Sequence, residues 1–418
     1  MNTELQIDFV APPLAGHLFP QLQLARYLKT QGFNNLRFFS CPAMQNAVES
    51  CGIGFTAILA DKENEVMALS HTEHQMNSLR GRLKSITGML RIAQQMYDEL
   101  QNEWTVNRPD LAVIDFCSPF AGFAAEDIGV RWWTAMPCLS FLEAKTSAPH
   151  FCGSLQPSNS FAGKVRNAVF RQIVRTFKYA AVALFGKEFR KFGFKRLYYP
   201  DGSEGYFSPE IILALGLREL EFEPEFPAKL HWLGPCPESP PAERPPLHYE
   251  ADKRYVLISL GTQIPWVREK AEALFRSVAA ECPDLTFHFT RGKVTESASV
   301  TESTRNLLFV NFVPYTAESL RHYDVIINHC GSGVMYASIA AGVPQLLYPQ
   351  DFDQFDNAAR VVYHGLGLRT TGKVRDIVRK LNILSGEERY RSKAAEFQQI
   401  ARSYNPGETF LKLLEGCF

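Results

Sequence analysis

The sequence predicts an α/β protein made of two doubly wound, Rossmann-like parallel-sheet domains facing each other across a cleft. Three observations carry this. Short apolar runs alternate with segments of helical period from the N-terminus onward, a Pro-rich, charged stretch over residues 221–253 breaks the alternation, and the alternation restarts beyond it. At 418 residues the chain is long enough for two domains of about 200 residues, each with its own core.

The first half opens with a strand over residues 6–11, closed by Pro12 and Pro13. Leu22, Ala25 and Leu28 then recur at helical spacing behind Pro20 until Gly32 stops them, and residues 36–40 form the next strand. A helix over 44–51, a polar helical region over 64–104, a strand over 111–115 and a helix over 122–128 follow. Strands separated by helices pair in parallel and are covered on both faces. Beyond the linker come strand 255–260, helix 268–281, strand 285–290, strand 324–328, a turn over 329–333, helix 334–341 and an apolar run over 345–348. Residues 386–414 read as helical, broken at Asn405, Pro406 and Gly407. The expected units are an N-terminal domain over 1–230, a linker over 231–253, a C-terminal domain over 254–400 and a terminal helix over 401–418.

Composition narrows the function. Lys plus Arg equals Asp plus Glu at 44 each, so no global basic field draws nucleic acid. The nine cysteines form no C-x-x-C pair and no zinc-like Cys/His spacing, as expected of reduced thiols in a cytoplasmic protein. The N-terminus carries Glu4 and Asp8 and no basic leader, and no apolar run approaches the roughly 18 residues of a bilayer span.

The chemistry gathers in residues 311–360. A buried strand runs into His329, Cys330, Gly331, Ser332 and Gly333 and then into a helix. Such a turn leaves the first helical N–H groups without internal acceptors and aims the positive end of the helix dipole beyond the sheet edge, where an anion fits. Gly331 and Gly333 allow close approach, and His329 adds a directed donor. Asp353 and Gln354, in a loop opened by Pro349, offer side chains suited to vicinal hydroxyls at the same edge. In the first half, His17 lies in the loop after the first strand, where an imidazole of ordinary pKa near 6.5 suits a general base; a locally satisfied helix-start histidine is the alternative. Asp115 ends its strand, placed either to partner that histidine or to cap the next turn.

The ordered set Phe312 and Pro314, His329 to Gly331, Ala341 to Pro344, Asp353 with Gln354, and Asn357 resembles the nucleotide-sugar box of glycosyltransferase family 1, the inverting enzymes of the GT-B fold. The run AGHLFP around His17 is similar to the family's G-H-x-x-P, and LAVID resembles the strand bearing its aspartate. The resemblance implies transfer of a hexose from a UDP- or dTDP-linked donor to a hydroxyl of a lipophilic acceptor, with His17 as base and Asp115 as its partner. It implies that Ser332, Gly333, Val334, His329 and Thr262 of the SLGT turn meet the departing diphosphate with no metal and no cofactor. Phe312 is implied as the nucleobase platform, a buried core ring being the competing reading. Val334, where many members have Ser or Thr, Ala337 in place of a ribose-binding glutamate and Tyr315 in place of glutamine depart from the plant pattern. They favour a bacterial carotenoid, macrolide or lipid subgroup. A nucleotide-sugar epimerase or phosphorylase, or a non-catalytic subunit, remains the alternative; neither needs the His17 and Asp115 pair.

Residues 164–196 carry ten bases against one acid, Glu188, interleaved with aromatics. That composition suits peripheral contact with the inner face of an anionic membrane, or a solvated amphipathic helix packed on the domain.

Overall fold

The computed structural model describes residues 2–69, 79–237, 247–261, 265–292, 300–351 and 353–418. The N-terminal sheet comprises β1 (Ile7–Val10), β2 (Leu36–Ser40), β3 (Gly54–Ala57), β4 (Leu111–Asp115), β5 (Arg131–Met136), β6 (Ile212–Ala214) and β7 (Leu230–Trp232). Its order is β3-β2-β1-β4-β5-β6-β7, and every pairing is parallel. The second sheet comprises β8 (Arg254–Ser259), β9 (Leu285–Thr290), β10 (Val300–Ser303), β11 (Leu307–Val310), β12 (Val325–Asn328), β13 (Gln345–Leu347) and β14 (Gly367–Arg369). Its order is β10-β11-β9-β8-β12-β13-β14, parallel except for the edge strand β10.

Both sheets have the switch in strand order that opens a crevice at the carboxyl ends of the central strands. It lies between β1 and β4 in the first domain and between β8 and β12 in the second. The central strands, apolar apart from buried residues such as Asp8 and Asp115, are closed to water because helices cover both faces.

Several elements differ from expectation. The first helix spans Ala15–Thr30, so His17 lies in its first turn rather than in a loop. The chain enters the helix directly after the prolines, and Pro20 is tolerated near the start, where its missing N–H removes one bond to the Gly16 carbonyl. Asp353 and Gln354 likewise open the helix Gln354–Tyr363, with Asp353 at its N-cap, instead of lying in a loop. The helix after β12 begins at Ser332, two residues early, which shortens the turn. Strand β7 runs to Trp232, and Leu233 and Cys236 join the N-terminal core, so this domain continues past residue 230.

The terminal helix Pro406–Cys417 starts where the Asn405 side chain accepts the Glu408 N–H (3.3 Å). Phe410, Leu411 and Leu414 are buried in the N-terminal core, the Phe410 ring lying 6.0 Å from Trp133 and 6.4 Å from Phe9. The chain thus ends packed on its own first domain, whereas the preceding helix Glu388–Ser403 packs on the second through Phe397 and Ile400.

Candidate active site

Strand β12 delivers the turn over residues 329–333, where the sequence suggests an anion site. The side chain of Asn328, its last residue, accepts the Cys330 N–H (2.7 Å) and donates to Gln345 Oε1 (2.9 Å). This Asx-type turn holds buried Cys330 at φ +66°, a left-handed conformation that reverses the chain within one residue. Gly331 caps the helix Ser332–Ala341 without a side-chain hydrogen bond, so the amides of Ser332, Gly333 and Val334 open onto the cleft with no acceptor inside the helix. The Val334 side chain itself turns into the C-terminal core.

His329 is wedged between two glycines. A Cβ on Gly331 would stand 2.5 Å from its Nε2, and one on Gly261, at φ +78°, would stand 2.7 Å from its Cε1. Burial lowers the His329 pKa below the ordinary value against the smaller opposing pulls of the Ser259 backbone and Asp353, keeping the ring neutral. Its Nδ1 is buried with no hydrogen-bond partner among the described residues.

Across the cleft, the first helix of the N-terminal domain points its own amino end at this turn. It has no side-chain cap and no acid in its first turn, and the atom nearest to a Cβ built on Gly333 is Gly16 Cα, at 4.0 Å. Two helix N-termini therefore face one gap, each adding positive potential. In the same first turn, one residue along, His17 Nδ1 lies 3.0 Å from Asp115 Oδ1. The pairing follows from topology: His17 follows β1, Asp115 ends β4, and the two strands are neighbours. Burial, the largest influence, favours the neutral ring, but the charge of Asp115, then the Cys117 sulfur, and hydrogen bonds to both raise the His17 pKa well above its usual value.

His17, Asp115 and Cys117 have ligand atoms within 4.8 Å of one another, a donor set that could hold a soft divalent ion. Asp115 Oδ1 is already engaged by the His17 ring and the Cys117 N–H (2.9 Å), the arrangement of a base and its orienting carboxylate.

An aromatic file leads outward from the histidine. Ring centroids are 5.3 Å apart for His17 and Phe116, 4.5 Å for Phe116 and Phe141, and 5.0 Å for Phe141 and Phe151. Phe116 is buried and Phe151 is 52% exposed, so the file runs from His17 to the surface.

The structure brings Asp353 to the same gap and engages it from both domains. Its Oδ2 accepts from Cys138 Sγ (3.0 Å), just beyond β5, and from Asn357 Nδ2 (2.7 Å), which also donates to the Cys330 carbonyl (3.0 Å). Burial, with Asp353 beside it, pushes the Cys138 pKa well up, so the thiol keeps the proton it donates. Gln354 is buried and its Oε1 accepts the N–H groups of Gln350 (2.8 Å) and Asp351 (3.2 Å), shaping the loop ahead of the helix. Phe312 is 4% exposed and tilted against Tyr315 at 5.6 Å. Thr262 lies outside the described residues.

Beside the site the domains are tied by polar contacts that the sequence did not reveal. Buried Arg360 reaches Glu221 Oε2 with Nε (2.9 Å) and Nη2 (2.7 Å) and donates to His150 Nε2 (2.6 Å). Asp356 accepts the Phe151 N–H (2.7 Å), and Gln156 donates to the Ala359 carbonyl (3.3 Å). Cys138, His150 and Glu221 carried no motif; the one available signal was the Asp353 to Asn357 spacing, which puts both on one helix face.

Residues 278–415 match the family described as erythromycin biosynthesis protein CIII-like, C-terminal domain. The chain is 25% identical to 4'-demethylrebeccamycin synthase of Lentzea aerocolonigenes, covering 97% of each chain, and 24% identical to zeaxanthin glucosyltransferase of Pantoea ananas, covering 87% of this chain and 84% of that one. Among solved structures it is similar to the glycotransferase of kitacinnamycin, with TM-score 0.71, 21% identity and 99% of each chain covered. It is also similar to the Streptomyces sp. SF2575 glycosyltransferase SsfS6 in complex with thymidine diphosphate, with TM-score 0.67, 16% identity, and 99% of this chain and all of that one covered. The chain thus has the GT-B fold, and in its C-terminal family domain and along most of its length it is similar to glycosyltransferases.

Proposed function

We propose that the protein transfers a hexose from a UDP- or dTDP-linked donor to a hydroxyl of a lipophilic small molecule, with inversion at the anomeric carbon. The observation that carries this reading is the placement of the His17 and Asp115 pair on one side of the cleft and the uncapped amides of Ser332 to Val334 on the other, with Gly16 and Gly333 in close approach.

His17, oriented through Nδ1 by Asp115, takes the acceptor's proton on its other ring nitrogen as the acceptor oxygen attacks the anomeric carbon. The new C–O bond forms on the face opposite the bond to the diphosphate, which breaks, and the proton remains on His17. Asp115 stabilises the imidazolium, in keeping with the raised pKa of the ring. The amides of Ser332, Gly333 and Val334, with His329, meet the charge that develops on the leaving diphosphate. Asp353 and Gln354 hold sugar hydroxyls, Phe312 borders the nucleobase, and Thr262 joins the phosphate contacts. The thymidine diphosphate named for the SsfS6 complex supports a nucleoside diphosphate guest. A lipophilic acceptor is supported by the aromatic file from Phe116 to Phe151 and by relatives named for zeaxanthin and 4'-demethylrebeccamycin.

A panel of UDP- and dTDP-sugars incubated with hydroxylated lipophilic acceptors tests the reading. Mass spectrometry should find an acceptor gaining one hexose, and NMR of the product should find the anomeric configuration opposite to that of the donor. Retained configuration would exclude single displacement, and donor epimerised or phosphorolysed without transfer would favour the other enzyme classes.

A further inference from the structure

The 31-residue helix Phe161–Lys191 has its amphipathic faces reversed. A helix on a soluble domain ordinarily turns its apolar stripe to the core and its charges to water. Here the bases from Arg166 to Lys178 reach back to the domain. Arg171 Nη1 donates to the Thr146 and Ser147 carbonyls (both 2.7 Å), Arg175 pairs with Glu143, and Lys178 Nζ reaches Glu143 (2.9 Å) and Glu204 (3.3 Å). Arg166 binds the Gln156 carbonyl (3.1 Å). The buried residues of the helix are Gly163, Asn167 and Gly186, none of them large and apolar.

The apolar side chains are left outside. Phe161, Val165, Val169, Ile173 and Phe177 recur every fourth residue, and Leu184 follows seven residues on; each four-residue step turns about 40°, so they spread over the outward half of the helix, opposite Arg171, Arg175 and Lys178, along about 35 Å. Phe161 is 84% exposed, Phe177 73% and Leu184 77%. Lys187 and Lys191 extend the same face three and seven residues beyond Leu184, and the single acid of the segment, Glu188, is paired with Lys191 (2.6 Å). A continuous, exposed apolar row of this length marks a surface that meets a partner.

We propose that this face docks the protein on an anionic lipid bilayer, the apolar row entering the headgroup and acyl boundary and Lys187 and Lys191 meeting lipid phosphates. The charge pattern selects this occupant over a second copy of the chain. In a symmetric pairing of the helix, parallel or antiparallel, lysines and arginines at its ends would face other bases with no acid row to neutralise them. The sequence had suggested bases and aromatics acting together. The structure separates them, since Lys195 is tied to Glu126 (3.1 Å) and Asp127 (3.0 Å) and the mid-helix bases clamp the helix to its domain. The inference goes beyond the transfer reaction and stands without it.

The test is sedimentation of the full chain with phosphatidylcholine vesicles, with and without an anionic phosphatidylglycerol fraction. Binding to anionic vesicles is expected to exceed binding to neutral ones several-fold and to disappear in the triple variant Phe161→Ser, Phe177→Ser, Leu184→Ser. These side chains support no core, so the variant should melt with the wild-type protein. As a second measurement on an otherwise intact protein, Leu184→Cys bearing an environment-sensitive fluorophore should shift to the blue on adding anionic vesicles. A wild-type protein that stays in the supernatant, a triple variant that sediments as well as wild type, an unshifted probe, or a dimer whose interface protects this helix would each overturn the proposal.

Discussion

Cys138 Sγ lies 3.0 Å from Asp353 Oδ2, so a thiol of the N-terminal domain donates to a carboxylate at the helix start of the C-terminal one. With Asn357 on the same oxygen, Asp353 is held facing the gap beside the Cys330 turn, where a sugar joined to a diphosphate at Gly331 to Gly333 would lie. Asp353→Asn is expected to weaken binding of the sugar nucleotide by about 10- to 100-fold, the loss of a charge-assisted hydrogen bond, and to leave the free nucleoside diphosphate nearly unaffected. His329→Ala should weaken both. Calorimetry with the two ligands separates the cases, and equal losses in Asp353→Asn would remove that residue from the sugar.

Arg360 and Glu221 form an ion pair at 2.7 Å with both side chains at or below 5% exposed. Removing one partner strands the other charge in the interface. Arg360→Met should cost about 3–5 kcal/mol in urea unfolding, and adding Glu221→Gln should recover much of that loss. Additive penalties would mean that the two residues do not depend on each other.

His150 accepts from Arg360 on Nε2 and donates from Nδ1 to the Leu142 carbonyl (2.9 Å), which fixes a neutral ring. Burial, aided by Arg360, lowers its pKa to about 3. Between that value and the ordinary histidine pKa near 6.5, the unfolded chain binds a proton that the folded one refuses. The contribution is complete above pH 6.5 and is lost as pH falls, by about 1.4 kcal/mol per unit. In unfolding curves collected across that window, His150→Gln should lack this part of the acid slope; an unchanged slope would place the protonation elsewhere.

Asp115 raises the His17 pKa against burial, so its loss should act in the opposite direction. In the wild-type enzyme the acid limb of kcat/KM is expected above pH 6.5, because the base must be unprotonated to work. Asp115→Asn should lower the maximal rate and move that limb downward, since burial is then opposed by less charge. A limb that stays in place would separate Asp115 from the proton balance of His17.

The parts that the sequence made legible are those written on one continuous stretch. Strands Leu111–Asp115 and Leu285–Thr290 agree with expectation to the residue, because LAVID is too short for a helix and rich in branched side chains, and LTFHFT alternates apolar with polar residues at the period of a strand. Strand β5, Arg131–Met136, has no alternation to mark it because it is closed on nearly all sides, and β6 and β7, at three residues each, are too short to carry a period. His17 and Asp115 were each readable from their own motif, and their 3.0 Å contact follows from the pairing of β1 with β4. Cys138 and Asp353 are 215 positions apart and meet only because the domains close on each other. The helix Phe161–Lys191 shows the same limit: its composition was plain, but which face turns inward depends on Glu143 and Glu204, which pair with its bases in three dimensions.

The central claim is that His17 is the general base on the acceptor side of a cleft whose other side holds the donor. It is tested most directly by measuring turnover and donor affinity together in His17→Ala. Turnover should fall by about 10²–10⁴-fold while the calorimetric Kd for the sugar nucleotide stays within a few-fold of wild type. Near-normal turnover with the true acceptor would contradict the assignment of the base, and a turnover loss matched by an equal loss of donor affinity would put His17 on the donor side instead.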